Sequence, residues 1–300
     1  MKPTQGARPG PDSLTRGLRL GRYLVKAGTK VKLDDWNPAD TSEFHGGRKD
    51  GEKTMNAIIE KLDPLQELLY AEHKHKLLVV LQGMDSAGKD ATIRRVFEGV
   101  NPEGVRVAHF GRPSQEDLDH DYLWRAHRQV PEKGEIVIFN RSHYESVLVE
   151  RVHGIVPEKT WSRRYGQIVD FERMLSEEGT TILKFFLHIS KKEQANRFQA
   201  RLEDPTKHWK FSYLDYNERS YWKEYVSAYE EAIERTSTDR APWFVIPSDH
   251  GWFRDLVVSQ AILSGLQGLD MKYPKLDKSK LKLVPAKERH RIQRLLSQLR

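Results

Sequence analysis

Gly83-Met84-Asp85-Ser86-Ala87-Gly88-Lys89-Asp90 fits GxxxxGK, the pattern of a loop whose backbone N–H groups wrap a phosphate at a helix N-terminus. The backbone must approach the anion closely, in conformations a Cβ would obstruct, which is the use of Gly83 and Gly88. Ala87 lies beside them, and Lys89 is placed to reach terminal phosphates. The pattern ordinarily continues with a Ser or Thr that holds Mg²⁺, but here the next residue is Asp90. The hydroxyl ligand is missing, so a metal must be held another way, and Asp85 inside the loop is the candidate. The plainer readings are that Asp85 stabilises a turn and that Asp90 complements the helix dipole.

A second chemical cluster follows Ile136–Phe139, in Asn140-Arg141-Ser142-His143-Tyr144. An apolar strand ending in an acid would be the usual metal-positioning strand, and Asn140 stands where that acid is expected. Asn140 supplies a hydrogen bond and no charge. Arg141, at a strand's C-terminal end, faces the crevice where ligands bind in parallel sheets. It reads as a phosphate clamp, with a structural salt bridge as the alternative. His143 reads as a hydrogen-bonded strand-end histidine rather than a general base. His73 and His75 lack partners at metal-ligand spacing, which argues against a zinc site.

Phosphotransfer needs a movable cationic segment that closes over the phosphates and excludes water. Gly111-Arg112-Pro113-Ser114, followed by an expected helix over 115–128, fits that role with Arg112 as its cation. Arg125 and Arg128 serve equally well on a solvated helix face. Arg197 and Arg201, four residues apart, share a helix face. With Lys207 and Lys210 they make a basic cluster, read as phosphate-binding. Its interleaved aromatics also leave single-stranded nucleic acid open.

The elements that must position these residues follow from apolar patterning. Short continuous apolar runs at 76–82, 105–110, 136–139, 181–189 and 243–246 read as buried parallel strands. The helical stretches between them predict an α/β chain, a five-stranded parallel sheet with helices on both faces. A helical period starts at Met55, and 252–266 is the last core helix. Residues 1–55 read as an N-terminal arm, with short extended pieces at 23–25 and 30–33. Residues 56–270 form the catalytic domain, with a lid at about 111–130. Residues 271–300 form a basic tail, partly helical from Ala286.

Composition narrows the class. The 300 residues are 38% hydrophobic and contain 7 Trp, 11 Tyr and 11 Phe, enough for a substantial core and too aromatic for a disordered chain. Without cysteine there are no disulfides, thiolate zinc sites or cysteine nucleophiles. The N-terminus lacks a signal-like apolar run, and the run at 77–81 is far short of the roughly 20 residues that span a bilayer. The expectation is a cytoplasmic protein with no membrane partner. The net charge of +7 invites a polyanion, but its placement qualifies that guess. Residues 271–300 hold ten cations and two acids, and 1–55 hold eleven and seven. The remaining 29 cations and 34 acids leave 56–270 with a net charge of −5. Substrate recognition must therefore rest on particular side chains.

Taken together, GMDSAGKDATIRRVFEGVNPEGVRV, GRPSQEDLDHDYLWR, GEIVIFNRSHYESVLVERVHG, RFQARLEDPTKHWKFS and APWFVIPSDHGWFRDL resemble the polyphosphate kinase type 2 family. The likeness runs from about Leu65 to Leu266, and YLVKAGTKVKLDDWNPADT is similar to the family's N-terminal extension. The resemblance implies a three-layer P-loop kinase fold with a helical lid. It implies Mg²⁺-dependent, reversible phosphoryl transfer between inorganic polyphosphate and purine nucleotides. Asp85 and Lys89 correspond to the family's loop acid and lysine, Asn140 and Arg141 to its second-strand pair, and Arg201 to the arginine of the later helix. Asn140 in place of Asp, together with Glu145, resembles the subgroup that phosphorylates both mono- and diphosphates, AMP and ADP or GDP. A homo-oligomer, dimer or tetramer, is expected.

Three rivals make different demands. An ATP-dependent nucleoside or nucleotide kinase would share the fold and differ in its donor. A regulatory GTPase would carry an NKxD element, which the chain lacks. A non-catalytic nucleic-acid-binding protein would bind oligonucleotides with steep salt dependence, and the phosphate loop makes nucleic acid the weaker reading.

Overall fold

The computed structural model describes residues 18–210, 213–275, 285, 288–292 and 294. The remaining parts of the expected arm and tail, Ala286 among them, lie outside the described residues, as does the side chain of Lys210.

The five apolar runs form β2 (Lys76–Gly83), β3 (Val105–His109), β4 (Ile136–Asn140), β5 (Thr180–His188) and β6 (Trp243–Pro247), all parallel. The sheet has six strands rather than five. β1 (Leu24–Val25) adds antiparallel to β6, giving the order β1-β6-β5-β2-β4-β3. Two residues carry no readable periodicity, so β1 exists through its partner: Leu24 stands opposite Phe244 and Val25 opposite Trp243. β2 is buried from Leu77 onward and is flanked by β4 and β5, which explains its unbroken LLVVL.

Among the described residues, the helices of eight residues or more are α1 (Arg48–Glu72), α2 (Lys89–Val96), α3 (Glu158–Glu177), α4 (Lys191–Glu203), α5 (Trp222–Thr236) and α6 (Gly251–Gln267). Neighbouring residues of β5 sort them onto the two faces. Leu183 packs by Gly265 of α6, whereas Lys184 points to Glu172 of α3 and Phe186 to Tyr229 of α5. α6 is buried along nearly its whole length, between α1 and the sheet. α1 begins seven residues before the apolar period does, with the Asp50 carboxylate accepting the Gly47 N–H.

The described part of the N-terminal segment joins this core. Tyr23, Val25, Val31 and Leu33 are buried, and Glu230 and Glu234 of α5 accept the N–H groups of Leu33 (2.7 Å) and Val31 (3.3 Å). The expected single helix over 115–128 is two four-residue turns, Gln115–Leu118 and Trp124–His127. Ser114 and Asp117 cap the first, and Asp121 accepts the Leu123 N–H (2.9 Å) to start the second. Acids that bond to nearby backbone break a helix that apolar spacing alone would continue.

Candidate active site

β2 ends at Gly83, whose φ of +153° and position favour glycine, since a Cβ there would stand 2.8 Å from Leu187 O. The loop then turns through Ser86 (φ +64°) and Gly88 (φ +108°) into α2, and a Cβ on Gly88 would collide with the Arg254 guanidinium. Lys89 folds back over the loop, donating from Nζ to Gly83 O (2.8 Å) and Met84 O (3.2 Å). Burial, and then the nearby Arg141 cation, pull its pKa down to about 8, against the pull of Asp85, Glu145 and Asp90.

The two departures from the usual phosphate-loop pattern meet in one hydrogen bond. Asn140 Nδ2 donates to Asp90 Oδ1 at 2.6 Å. The carboxylate that strand ends usually carry stands on the first turn of α2, and the neutral partner stands on β4.

Arg141 follows immediately, in a left-handed conformation (φ +60°) with its N–H held by Leu81 O. Its guanidinium donates to Asp85 Oδ1 (2.6 Å) and Glu145 Oε2 (3.3 Å). Burial opposes this charge, but Glu145 and Asp85 outweigh it and hold Arg141 above the ordinary arginine range. Glu145 is fixed in turn by Gln82 Nε2 (3.1 Å), and Tyr229 donates to Gln82 Oε1 (3.4 Å). Burial, reinforced by the Glu145 charge, pushes Tyr229 up, so it remains a neutral donor.

Beneath this loop lies a fully buried polar knot. Lys184 Nζ donates to Glu172 (2.6 Å), the Tyr144 hydroxyl (2.9 Å) and Thr236 O (2.8 Å). Burial opposes the Glu172 charge, and Lys184 still keeps that carboxyl below its usual range. His143 Nε2 lies 3.3 Å from Glu172, so His143 belongs to this knot.

The structure therefore gathers Gly83, Asp85, Ala87, Gly88, Lys89, Asp90, Asn140, Arg141 and Glu145. Arg197 also meets the loop, donating to Ser86 O (3.0 Å) and Ala87 O (3.1 Å). Arg201 stacks on Phe198, and neither it nor Arg112 makes a hydrogen bond or ion pair among the described residues. Lys207 pairs with Asp204 (2.7 Å). In the segment expected to act as a lid, Arg125 donates to Gly111 O and Arg128 lies over Trp124. Sequence reasoning passed over Gln82, Gln194 and Arg254, although Arg254 stands inside the quoted GWFRDL. Gln194 donates to Asp85 O (2.9 Å) and Arg254 to Ala87 O (3.1 Å).

Among the described residues no group of three His, Cys, Asp or Glu could hold a metal alone. Mg²⁺ keeps several waters and takes one or two carboxylates together with substrate phosphates. Asp85 offers such a carboxylate, with one oxygen on Arg141 and the second outside that bond. Among the described residues no helix is long and apolar enough to cross a membrane.

A model of the family Polyphosphate kinase 2 (PPK2) matches residues 46–274. The AMP/ADP-polyphosphate phosphotransferase of Meiothermus ruber is 54% identical over 265 residues, covering 88% of this chain and 99% of that protein. The ADP-polyphosphate phosphotransferase of Rhodopseudomonas palustris is 41% identical, covering 86% and 93% respectively. The crystal structure of polyphosphate kinase 2 from Arthrobacter aurescens superposes with a TM-score of 0.84 at 41% identity, covering 91% of this chain and 95% of that one. With a phosphate loop closed by Lys89, an arginine at the next strand end and a family match over most of its length, the chain belongs to the polyphosphate kinase 2 family.

Proposed function

We propose that the protein transfers phosphoryl groups reversibly between inorganic polyphosphate and purine nucleotides, taking AMP as well as ADP or GDP. The carrying observation is Arg141, held by Asp85 and Glu145 at the mouth of a phosphate loop that already contains Lys89. Phosphoryl transfer asks a protein mainly for positioning and charge neutralisation. In this reading the loop amides and Lys89 take the donor's terminal phosphates. Arg141 and Arg201 offset charge on the moving group, with Arg112 brought in when the lid closes. The attacking nucleotide phosphate is anionic at neutral pH, so no general base is needed. Mg²⁺, held through Asp85, supplies charge neutralisation of the phosphates.

Residues 56–270 form the phosphotransferase unit in this proposal, 111–130 the lid, and 271–300 a basic tail. Arg197, Lys207 and Lys210 make the outer part of the phosphate path. The enzyme works in the cytoplasm as a homo-oligomer, which light scattering tests.

Incubation with polyphosphate, Mg²⁺ and AMP, ADP or GDP separately, without ATP, tests the reaction. The expected products are ADP, ATP and GTP. Lys89→Ala and Arg141→Ala each lower the rate about a hundredfold or more while remaining folded. Phosphorylation that occurs only when ATP is the donor would replace this reading with an ordinary nucleotide kinase.

A further inference from the structure

From Gly83 to Ala87, every carbonyl oxygen of the phosphate loop is captured by a side chain. Lys89 takes Gly83 O and Met84 O, Gln194 takes Asp85 O, Arg197 takes Ser86 O and Ala87 O, and Arg254 also takes Ala87 O. In a planar trans peptide the C=O of one residue and the N–H of the next point in opposite directions. Capturing the carbonyls of Asp85 and Ala87 by Gln194, Arg197 and Arg254 therefore turns the N–H groups of Ser86 and Gly88 away from those three side chains. Those two N–H groups have no acceptor among the described residues.

Arg197 has no donor to spare. Its five N–H groups meet five acceptors: Nε to Glu193 (2.9 Å), Nη1 to Ser86 O and Ala87 O, and Nη2 to Ser248 O (2.6 Å) and Asp249 O (3.0 Å). Gln194, one turn earlier on α4, is fixed from behind by Arg219, which donates to its Oε1 at 3.0 Å. Arg254 is held by Asp255 (2.8 Å), and Asp255 also takes the Thr92 hydroxyl of α2 (2.8 Å).

We propose that Gln194, Arg197 and Arg254 are positioning residues that aim the loop's amides at the phosphate, and that Arg197 acts through these bonds rather than by touching the donor. This rests on the reading of 83–90 as a phosphate site and replaces the phosphate contact proposed for Arg197. It makes the shape of the guanidinium, rather than its charge, the needed property. A lysine at 197 keeps the charge but offers one nitrogen, which cannot span the loop and the end of β6 together.

The experiment compares wild type, Arg197→Lys, Arg197→Met and Gln194→Met. It reads tripolyphosphate affinity by calorimetry, ATP formation from ADP and polyphosphate, and the melting temperature. The expected result is that Arg197→Lys weakens tripolyphosphate binding as much as Arg197→Met does, by about tenfold to a hundredfold. Gln194→Met, of similar length and equally buried, weakens it several-fold at an unchanged melting temperature. Wild-type affinity in Arg197→Lys, beside a loss in Arg197→Met, would overturn the proposal in favour of a charge contact. If the Arg197 variants fail to fold, wild-type affinity in Gln194→Met overturns it instead. Wild type that binds tripolyphosphate yet makes no ATP removes the proposed reaction and leaves the positioning role standing.

Discussion

Two carboxylates grip the Arg141 guanidinium before any anion arrives, so its orientation costs little when substrate binds. Lys89, with a pKa lowered to about 8, is a cation below that pH and a neutral amine above it. The free enzyme's kcat/KM for polyphosphate should therefore fall as pH rises through about 8. Lys89→Arg, whatever its absolute rate, should lose that inflection, and a pH–rate profile of both proteins checks it. Asp90 and Asn140 lie 50 residues apart, and each reads alone as a departure from pattern. Paired, they form one donor–acceptor unit. Asn140→Asp would set two carboxylates against each other and raise one pKa into the working range. Activity at pH 7 should fall about tenfold. Adding Asp90→Ser, which leaves a single acid facing a hydroxyl, should restore most of it, as steady-state rates of the double variant would show.

The strand-end turn that presents Arg141 depends on the buried knot behind it. Lys184 comes from β5 and Glu172 from α3, and both are fully buried. Removing one partner strands the other, so Lys184→Met should cost about 3–5 kcal/mol, whereas Lys184→Met with Glu172→Leu should cost much less. Urea denaturation of the two variants distinguishes these outcomes. At this scale the sequence was legible where an element is long and apolar. Four of the five parallel strands announce themselves, because burial on both faces demands uninterrupted runs such as LLVVL; β3, at the sheet edge, is VRVAH with Val107 and His109 exposed, and is not the buried strand expected of it. β1 does not, since Leu24 and Val25 become a strand only through Phe244 and Trp243. The segment 115–128 was misread: its apolar spacing suggested one helix, and Asp121 divides it.

Across the whole molecule, charge is distributed against first impressions. The unit from 56 to 270 is net acidic, and residues 276–300 carry eight cations against two acids. Deleting 276–300 should raise KM for long polyphosphate by a few-fold and leave tripolyphosphate unaffected, since a run of cations attracts a long polyanion more than a short one. Kinetics on the two donors decide it. The phosphate loop itself was legible from eight consecutive residues. Its contacts were not: Gln194 and Arg254 went unremarked and Arg197 was read only as phosphate-binding, because the three reach the loop across 109, 167 and 111 residues of chain, and no local spacing marks such contacts.

That separation has a consequence for biosynthesis. A ribosome delivers Gly83–Lys89 early, but Arg254 arrives on the last core helix, and β1 waits for residues 243 and 244 before it can pair. A growing chain therefore exposes the phosphate loop's residues long before that loop can hold its shape. A copy interrupted before α6 lacks the Arg254 contact to Ala87 O. The loop's full set of contacts thus waits until α6 has been made.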